Sequence, residues 1–261
     1  MTMRAVRVLA EQNMASYRMP QSLIIKESYP LPPYSTVIGM VHAACGFTEY
    51  MPMQVSIQGD FASSVQEMYT RYEFNKNMSY EAGRQNILMQ SGDQNYGMTR
   101  GLGSVELLTD VQLILHIIPE DNTLCETIAH GLKYPKNYLN LGRWEDLLRI
   151  DDVCITDLQE EQVQNNSIVL ACSAWIPADI EENLKRTVRL KYPSIGTSYR
   201  LHKTYEISNL GLRSWKETIP ARYAGCGTVI GKGGRLLTDR TPVVQKNMPY
   251  ADREVIPVFP A

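Results

Sequence analysis

One run constrains this chain more than any other. Across residues 104–118 apolar and polar positions alternate, with Val105, Leu107, Thr109, Val111, Leu113, Leu115 and Ile117 on one parity, until Pro119 ends the pattern. Such a run is a long strand with a face that needs a core, so the chain must build a sheet around it. Residues 4–10 alternate in the same way and read as a first strand rather than as a signal peptide. Residues 53–74 form a second extended region, in which Met68, Thr70, Tyr72 and Phe74 alternate with Tyr69, Arg71 and Glu73. Residues 149–158 and 167–176 are further strand candidates.

Two helices fit between these strands. Pro32-Pro33-Tyr34-Ser35-Thr36 delivers the chain to a compact apolar stretch, residues 37–45, which Gly46 can end as a left-handed cap. Thr123 and Glu126 carry a capping-box pattern. Leu124, Ile128 and Leu132 give one helical stripe, and Pro135 closes it. Residues 75–104 lose all periodicity and are dominated by Asn, Gln, Gly, Ser, Met and Tyr, so they read as an excursion that leaves the sheet and returns. The order is strand, helix, strand, excursion, strand, helix, strand. This is the α+β, ferredoxin-like (RRM-like) βαββαβ plan over residues 1–176, followed by a basic extension over 177–261. The plan by itself assigns no function.

Charge narrows the classes. Residues 105–184 hold 4 basic and 15 acidic side chains, net −11, and residues 185–253 hold 14 basic and 4 acidic, net +10. Two readings stand: a basic surface for a polyanion, or two segments that attract each other within one fold. Five scattered cysteines without a C-x-x-C pair give no zinc or disulfide framework and fit a reducing cytoplasm. No cofactor or metal motif is present, and no run of about 18 apolar residues offers a membrane span.

The segment before the first helix admits a ligand. Free N–H groups at the helix start, with the Ser35 and Thr36 hydroxyls, make a phosphate site, and Gly39 permits close approach of the sheet or a ligand backbone. The alternative is that these prolines and glycines only shape a tight strand–helix connection.

Specific residues then point to a family. Ala15-Ser16-Tyr17-Arg18-Met19-Pro20, the run Tyr29-Pro30-Leu31-Pro32-Pro33-Tyr34-Ser35-Thr36-Val37-Ile38-Gly39-Met40, and Ala43-Ala44-Cys45-Gly46 resemble the N-terminal signature of CRISPR-associated protein family five. That family belongs to the repeat-associated mysterious protein superfamily. Leu141-Gly142-Arg143 is similar to the family's turn after the second helix, and the style is that of the type I-B branch. The resemblance spans roughly residues 4–176. It implies a non-catalytic subunit of the type I surveillance complex, Cascade, that clamps the 5′ handle of the CRISPR RNA. It implies a thumb hairpin at about 75–104 that packs on the backbone subunit. It also implies contact with the large subunit and, through the assembled complex, with target DNA.

On this resemblance and on the chemistry of phosphate contact, the expected RNA-binding residues are Arg18, Tyr34, Ser35, Thr36, Gly39, Arg71, Lys76, Arg84, Tyr96, Arg100 and Arg143. Bland alternatives are core packing for Tyr34 and an acid partner for Arg71. The aromatic sheet motif of ordinary RNA-recognition domains is absent, so recognition across an open sheet is not expected. The runner-up function is a metal-independent ribonuclease, which needs a general acid and base beside a 2′-hydroxyl. The histidines are His42, His116, His130 and His202, and only His42 lies near the expected site, on an apolar helix. Gly231 and Gly234 match the bare spacing of a GXXG loop, but the flanking residues suit a hairpin turn better.

Overall fold

A computed structural model describes residues 3–163, 168–180, 196–230, 235–245, 247–251 and 253–261, with the side chains of Lys76 and Asn77 left aside. The Gly231–Gly234 turn lies outside the described residues. The fold is α+β, mostly antiparallel sheet, and its described residues include the helices α1 (Tyr34–Cys45) and α2 (Leu124–Lys133).

The centre of the sheet is β6 (Arg149–Gln162), β1 (Met3–Ala15), β5 (Gln94–Pro119) and β2 (Met53–Asp60), adjacent in that order and all antiparallel. Beyond β2 come β8 (Ser173–Pro177), β10 (Arg213–Ala224) and β9 (Thr197–Ile207). Beyond β6 come β12 (Arg235–Asp239) and β13 (Ile256–Val258). Strands from the basic segment after residue 177 therefore lengthen the same sheet at both ends. The short strands β7 (Ile168–Val169) and β11 (Val229–Ile230) pair separately.

Both faces of the central strands are buried, for different reasons. On one face Val6, Val8, Leu113, Leu115, Val55 and Ile57 pack with Val37, Val41, Ile128 and Leu132 of the two helices. That face follows the alternation read from sequence between Val111 and Ile117; at Asp110, at φ +50°, the parity shifts, and Leu108 rather than Leu107 joins this core. The other face carries polar residues, Arg7, Ser56, Gln58 and His116, and is covered by the chain after β12. These polar groups hold that cover down. Gln58 Nε2 donates to Pro257 O (2.6 Å), Tyr250 Oη donates to Gln58 Oε1 (3.0 Å), and Phe259 N–H donates to Ser56 Oγ (3.0 Å). The central strands therefore offer no open face to a ligand.

At the centre of this second face lies a buried charge network. Asp239 accepts from Arg7 Nη1 at 3.0 Å, from Thr156 Oγ1 at 2.6 Å, from Thr241 N–H at 2.7 Å and from His116 Nε2 at 3.1 Å. Burial alone would raise the Asp239 carboxyl, but these hydrogen bonds override it and hold it well below the usual carboxylate range. Burial pushes His116 down more strongly than Asp239 lifts it, so His116 is neutral with Nε2–H donating. The folded chain thus refuses a proton that the unfolded chain accepts below about pH 6.5, so stability is lost as pH falls through that value. The thermal midpoint of the wild-type chain is expected to fall between pH 6.5 and 5, and His116→Gln to flatten that slope. A wild-type midpoint that does not move across this interval contradicts the assignment.

Two local details differ from what the residue pattern alone offers. The excursion is built of strands: β3 (Ser63–Ser79) and β4 (Ile87–Ser91) pair along the outer half of β5 from Ser63↔Thr109 to Ser91↔Gln94. Periodicity fades there because nearly every residue of β3 is solvent-exposed on both faces. The capping box also fails. Thr123 is helical and makes no cap bond, while Asp121 Oδ1 accepts from the Thr123 N–H (2.9 Å) and hydroxyl (2.7 Å). Gly46 does end α1 in the left-handed conformation, at φ +69°.

Candidate nucleic-acid interface

Three separate stretches meet at the end of the sheet where β1 leaves and the arm of β3 and β5 begins. The first is the segment joining β1 to α1. It doubles back on itself, with Tyr29 N–H donating to Tyr17 O (2.7 Å) and Met19 N–H to Glu27 O (2.8 Å). Glu106 at the arm's root fixes it from outside, accepting from Ser28 N–H (2.9 Å) while its own N–H donates to Lys26 O (3.2 Å). Lys26 consequently sits at φ +55°, an unusual backbone state for lysine.

The second stretch is the arm. Cross-strand partners share a face, so Met68, Leu102, Tyr72, Phe74 and Met98 fall on one side and Tyr69, Arg71 and Glu73 on the other. The first side exposes Met68, Tyr72, Phe74 and Leu102 and also carries Arg100, opposite Tyr72. On the second side the Tyr69 ring lies over Gly103, where a Cβ would come within 2.7 Å of the ring. Lys26 Nζ stands 4.5 Å from the centre of that ring.

The third stretch is the turn after α2. Asp146 is buried and organises it, accepting from Ser16 N–H (2.9 Å), Arg143 N–H (2.8 Å) and Arg143 Nη2 (2.7 Å). Gln12 Nε2 donates to Leu141 O (2.9 Å) and Asp146 O (3.0 Å). Gly142 is required at φ +111°, because a Cβ there would lie 2.8 Å from Ser16 O.

Electrostatics shows what these stretches assemble. The Lys26 ammonium is held below the ordinary lysine value, first by partial desolvation and then by the positive charges of Arg18, Arg71 and Arg143. Three of the expected site residues thus converge on a fourth cation, Lys26, that sequence reading missed. Nothing in the spacing marked it, since the convergence depends on the fold of the 16–28 segment. Arg18 is exposed, Arg71 pairs with Glu73 at 3.1 Å on its own strand, and Arg143 is largely committed to Asp146 and Glu145.

The other expected residues fall elsewhere. Tyr34 is 0% exposed and cannot stack on a base; its ring belongs to the core, the alternative noted for it, because the Pro32 carbonyl is tied to Trp175 Nε1 at 3.0 Å and draws the helix start under β8. Ser35 and Thr36 are half-buried, and neither hydroxyl has a partner among the described residues. Pro33 supplies no side-chain cap; the Thr36 N–H donates to Pro33 O at 3.0 Å, which leaves the Tyr34 and Ser35 N–H groups uncapped among the described residues. Gly39 is on the solvent side, with nothing within 4 Å of where its Cβ would stand, so close approach to the sheet is not its reason. Arg84, Tyr96 and Arg100 lie towards the outer end of the arm, Tyr96 about 40 Å along β5 from its root. Arg84 pairs with Glu81 (3.3 Å) and Tyr96 donates to Gln94. The side chain of Lys76 lies outside the described residues.

The histidines are dispersed. His42 accepts from Met51 N–H at Nε2 (3.0 Å) and its Nδ1 meets Ile38 O (2.8 Å), so both ring nitrogens are occupied. His116 is buried against Asp239, His130 leans on Tyr134, and His202 stacks on Trp215. No two share a partner.

The fold and the cation cluster define a class: an antiparallel α+β protein with cations from three stretches at one rim and a two-faced arm. Within that class, the family model described as CRISPR-associated protein (Cas_Cas5) matches residues 6–215, and the chain belongs to that family. Among solved structures the chain is similar to one titled "CRISPR RNA-guided surveillance complex", with TM-score 0.47 and 12% identity, covering 86% of this chain and 91% of that one. It is also similar to a CRISPR protein from Archaeoglobus fulgidus, with TM-score 0.45 and 9% identity, covering 98% and 100%. No curated protein matches the sequence. No helix among the described residues is long and apolar enough to cross a membrane.

Proposed function

We propose that this chain is a non-catalytic subunit of a type I CRISPR surveillance complex and holds the 5′ handle of the guide RNA at the rim formed by Arg18, Lys26, Arg71 and Arg143. The observation that carries this is that Arg18, Arg71 and Arg143, from three chain stretches, all act to lower the Lys26 ammonium, which stands 4.5 Å from the centre of the Tyr69 ring. Arg71 and Arg143 have acid partners, so Arg18 and Lys26, which have none among the described residues, are the charges left for a polyanion. Ser35 and Thr36, with uncapped N–H groups beside them, add a second anchor for phosphate at the helix start.

The order β6-β1-β5-β2 with α1 and α2 on one face supports the ferredoxin-like description of the central domain. The hairpin of β3 and β5 is then the thumb. Its first side, with Phe74 69% and Leu102 76% exposed, suits a neighbouring backbone subunit, and its Arg71 side faces the RNA. Contact with the large subunit, and through the complex with target DNA, belongs to the same proposal, as does a cytoplasmic location. The ribonuclease alternative receives no support from the histidines, since the one near the helix has both ring nitrogens engaged.

Phe74→Asp with Leu102→Asp is expected to leave the chain folded and its RNA affinity unchanged, while recovery with a co-expressed backbone subunit falls more than tenfold. Sequencing the RNA that co-purifies with the wild-type chain is expected to return guide RNAs sharing one 5′ end. Unchanged recovery of the variant removes the arm assignment, and RNA of random sequence removes the handle assignment.

A further inference from the structure

We propose that Cys172 and Cys226 form a dithiol–disulfide site, in which hydrogen peroxide oxidises the exposed Cys226 and the buried Cys172 closes the bond, stapling the start of β8 to the turn after β10. This site is independent of the rim. Its basis is register. β8 and β10 pair Ala174 with Ala224, and β7 and β11 pair Val169 with Val229. The offset is the same on both sides of the gap, so Cys172 falls opposite Cys226. Opposed residues of an antiparallel pair stand about 4.5–5.5 Å apart at Cα, within the roughly 4.4–6.8 Å that a disulfide spans. Local contacts hold the two residues there. Thr228 N–H donates to Gly225 O (3.1 Å) and Gly227 stands at φ +80°, which makes Cys226 the corner of a tight turn. Cys226 Sγ donates to Ala171 O at 3.2 Å and its N–H donates to Ser173 Oγ at 3.2 Å, so its contacts straddle Cys172. Ser173 is itself fixed, its N–H and hydroxyl donating to Asp60 Oδ1 at 3.1 and 2.6 Å.

The two thiols differ in access, which sets the order of events. Cys226 is exposed, whereas Cys172 is buried with Leu9, Ile114 and Tyr250. Burial first, then the Asp60 carboxylate and the Cys226 sulfur, push the Cys172 thiol well above the ordinary cysteine range, so Cys172 does not react first. The Cys226 sulfur attacks one peroxide oxygen and the O–O bond breaks. The displaced hydroxide leaves as water with the thiol proton, and Cys226 becomes a sulfenic acid. The Cys172 sulfur then attacks the Cys226 sulfur and the S–O bond breaks. That hydroxide leaves as a second water with the Cys172 proton. Each sulfur gives up one electron, and the peroxide takes both. Core packing accounts for Cys172 alone and not for a second thiol set opposite it. Cys45, Cys125 and Cys154 lie on α1, α2 and β6 and serve as internal controls.

The test treats the full, reduced chain with hydrogen peroxide in buffer, blocks the remaining thiols and maps peptides without reduction. The expected product joins the peptides that carry Cys172 and Cys226, two hydrogens lighter than their sum, with the other three cysteines still free. Dithiothreitol is expected to undo the link. Closing the chain between these residues is expected to raise the thermal midpoint of the oxidised form by roughly 5–15 °C over the reduced form. Cys226→Ser is a surface change that leaves the fold intact, and it is expected to abolish both the link and the rise. Oxidation of Cys226 to sulfinic or sulfonic acid with Cys172 still free overturns the proposal, as does Cys226 joined to Cys226 of a second copy. A link that forms in urea but not in buffer also overturns it, because the folded chain then does not bring the two sulfurs together. A linked chain whose midpoint has not moved overturns the staple.

Discussion

Lys26→Glu combined with Arg18→Glu is expected to lower affinity for guide RNA about 100-fold or more, since each charged contact contributes roughly 1.5–3 kcal/mol and both change sign. Two features make these the right positions. Arg18 is exposed and has no acid partner among the described residues, so its charge is available to a ligand. Lys26 is placed by Glu106 and Tyr69 from the arm, so its ammonium is positioned before any ligand arrives. The same variant is expected to lower the slope of log affinity against log salt by about 1.4, as two phosphate contacts are lost from a single strand. The fold should survive, because both side chains lie at the surface and outside the core. Filter binding across a salt series reads both quantities. An unchanged slope would mean that neither cation meets a phosphate.

The second large effect concerns stability. Asp239→Ala is expected to destabilise the chain by about 3–5 kcal/mol, because it strands the Arg7 guanidinium inside the protein without its carboxylate. Arg7 keeps the Thr241 and Pro242 carbonyls at 2.5 and 2.9 Å, but these are dipoles and not a countercharge. For a chain of this size the thermal midpoint should drop by roughly 6–20 °C. Replacing Arg7 with Met and Asp239 with Leu together should cost less than Asp239→Ala alone, since no charge is then left buried. Denaturant unfolding decides it. A single variant within about 0.5 kcal/mol of wild type would show that water reaches Arg7, and that the C-terminal cover is looser than described.

The sequence made one face of the sheet easy to read and hid the other. Alternation through Val111, Leu113, Leu115 and Ile117 matched the face under α1 and α2 because that packing is apolar throughout, but the parity shifts at Asp110, at φ +50°, and Leu108 joins that core in place of Leu107. The opposite parity, with Arg7, Ser56, Gln58 and His116, carries polar side chains that ordinarily mark a solvated face. Here they are buried because the chain's last twenty residues fold over them and use them as hydrogen-bond anchors. No local pattern announces such a distant cover. The arm was legible as an extended alternation only as far as Phe74; beyond it, where both faces are exposed, the hydrophobic period is lost and only the break could be read.

The rim was legible in part. Arg18 and Arg143 were found through motifs and Arg71 through its place beside the excursion. Lys26 was not, because it reaches the cluster only after the 16–28 segment doubles back and Ser28 and Glu106 join. Tyr34 misled because an aromatic beside two prolines at a helix start suits stacking as well as packing, and only the bond from Trp175 to Pro32 O decides between them. The charge contrast between segments is partly internal, as the pair of Arg240 with Glu161 across β12 and β6 shows.

Photocrosslinking of the assembled particle, read by mass spectrometry of RNA-bound peptides, probes the rim without altering a residue. Adducts from the guide's first nucleotides should map to peptides spanning 16–28 and 140–148. Adducts confined to the far hairpin of β9 and β10, with none in those two stretches, would place the guide's end elsewhere on the molecule.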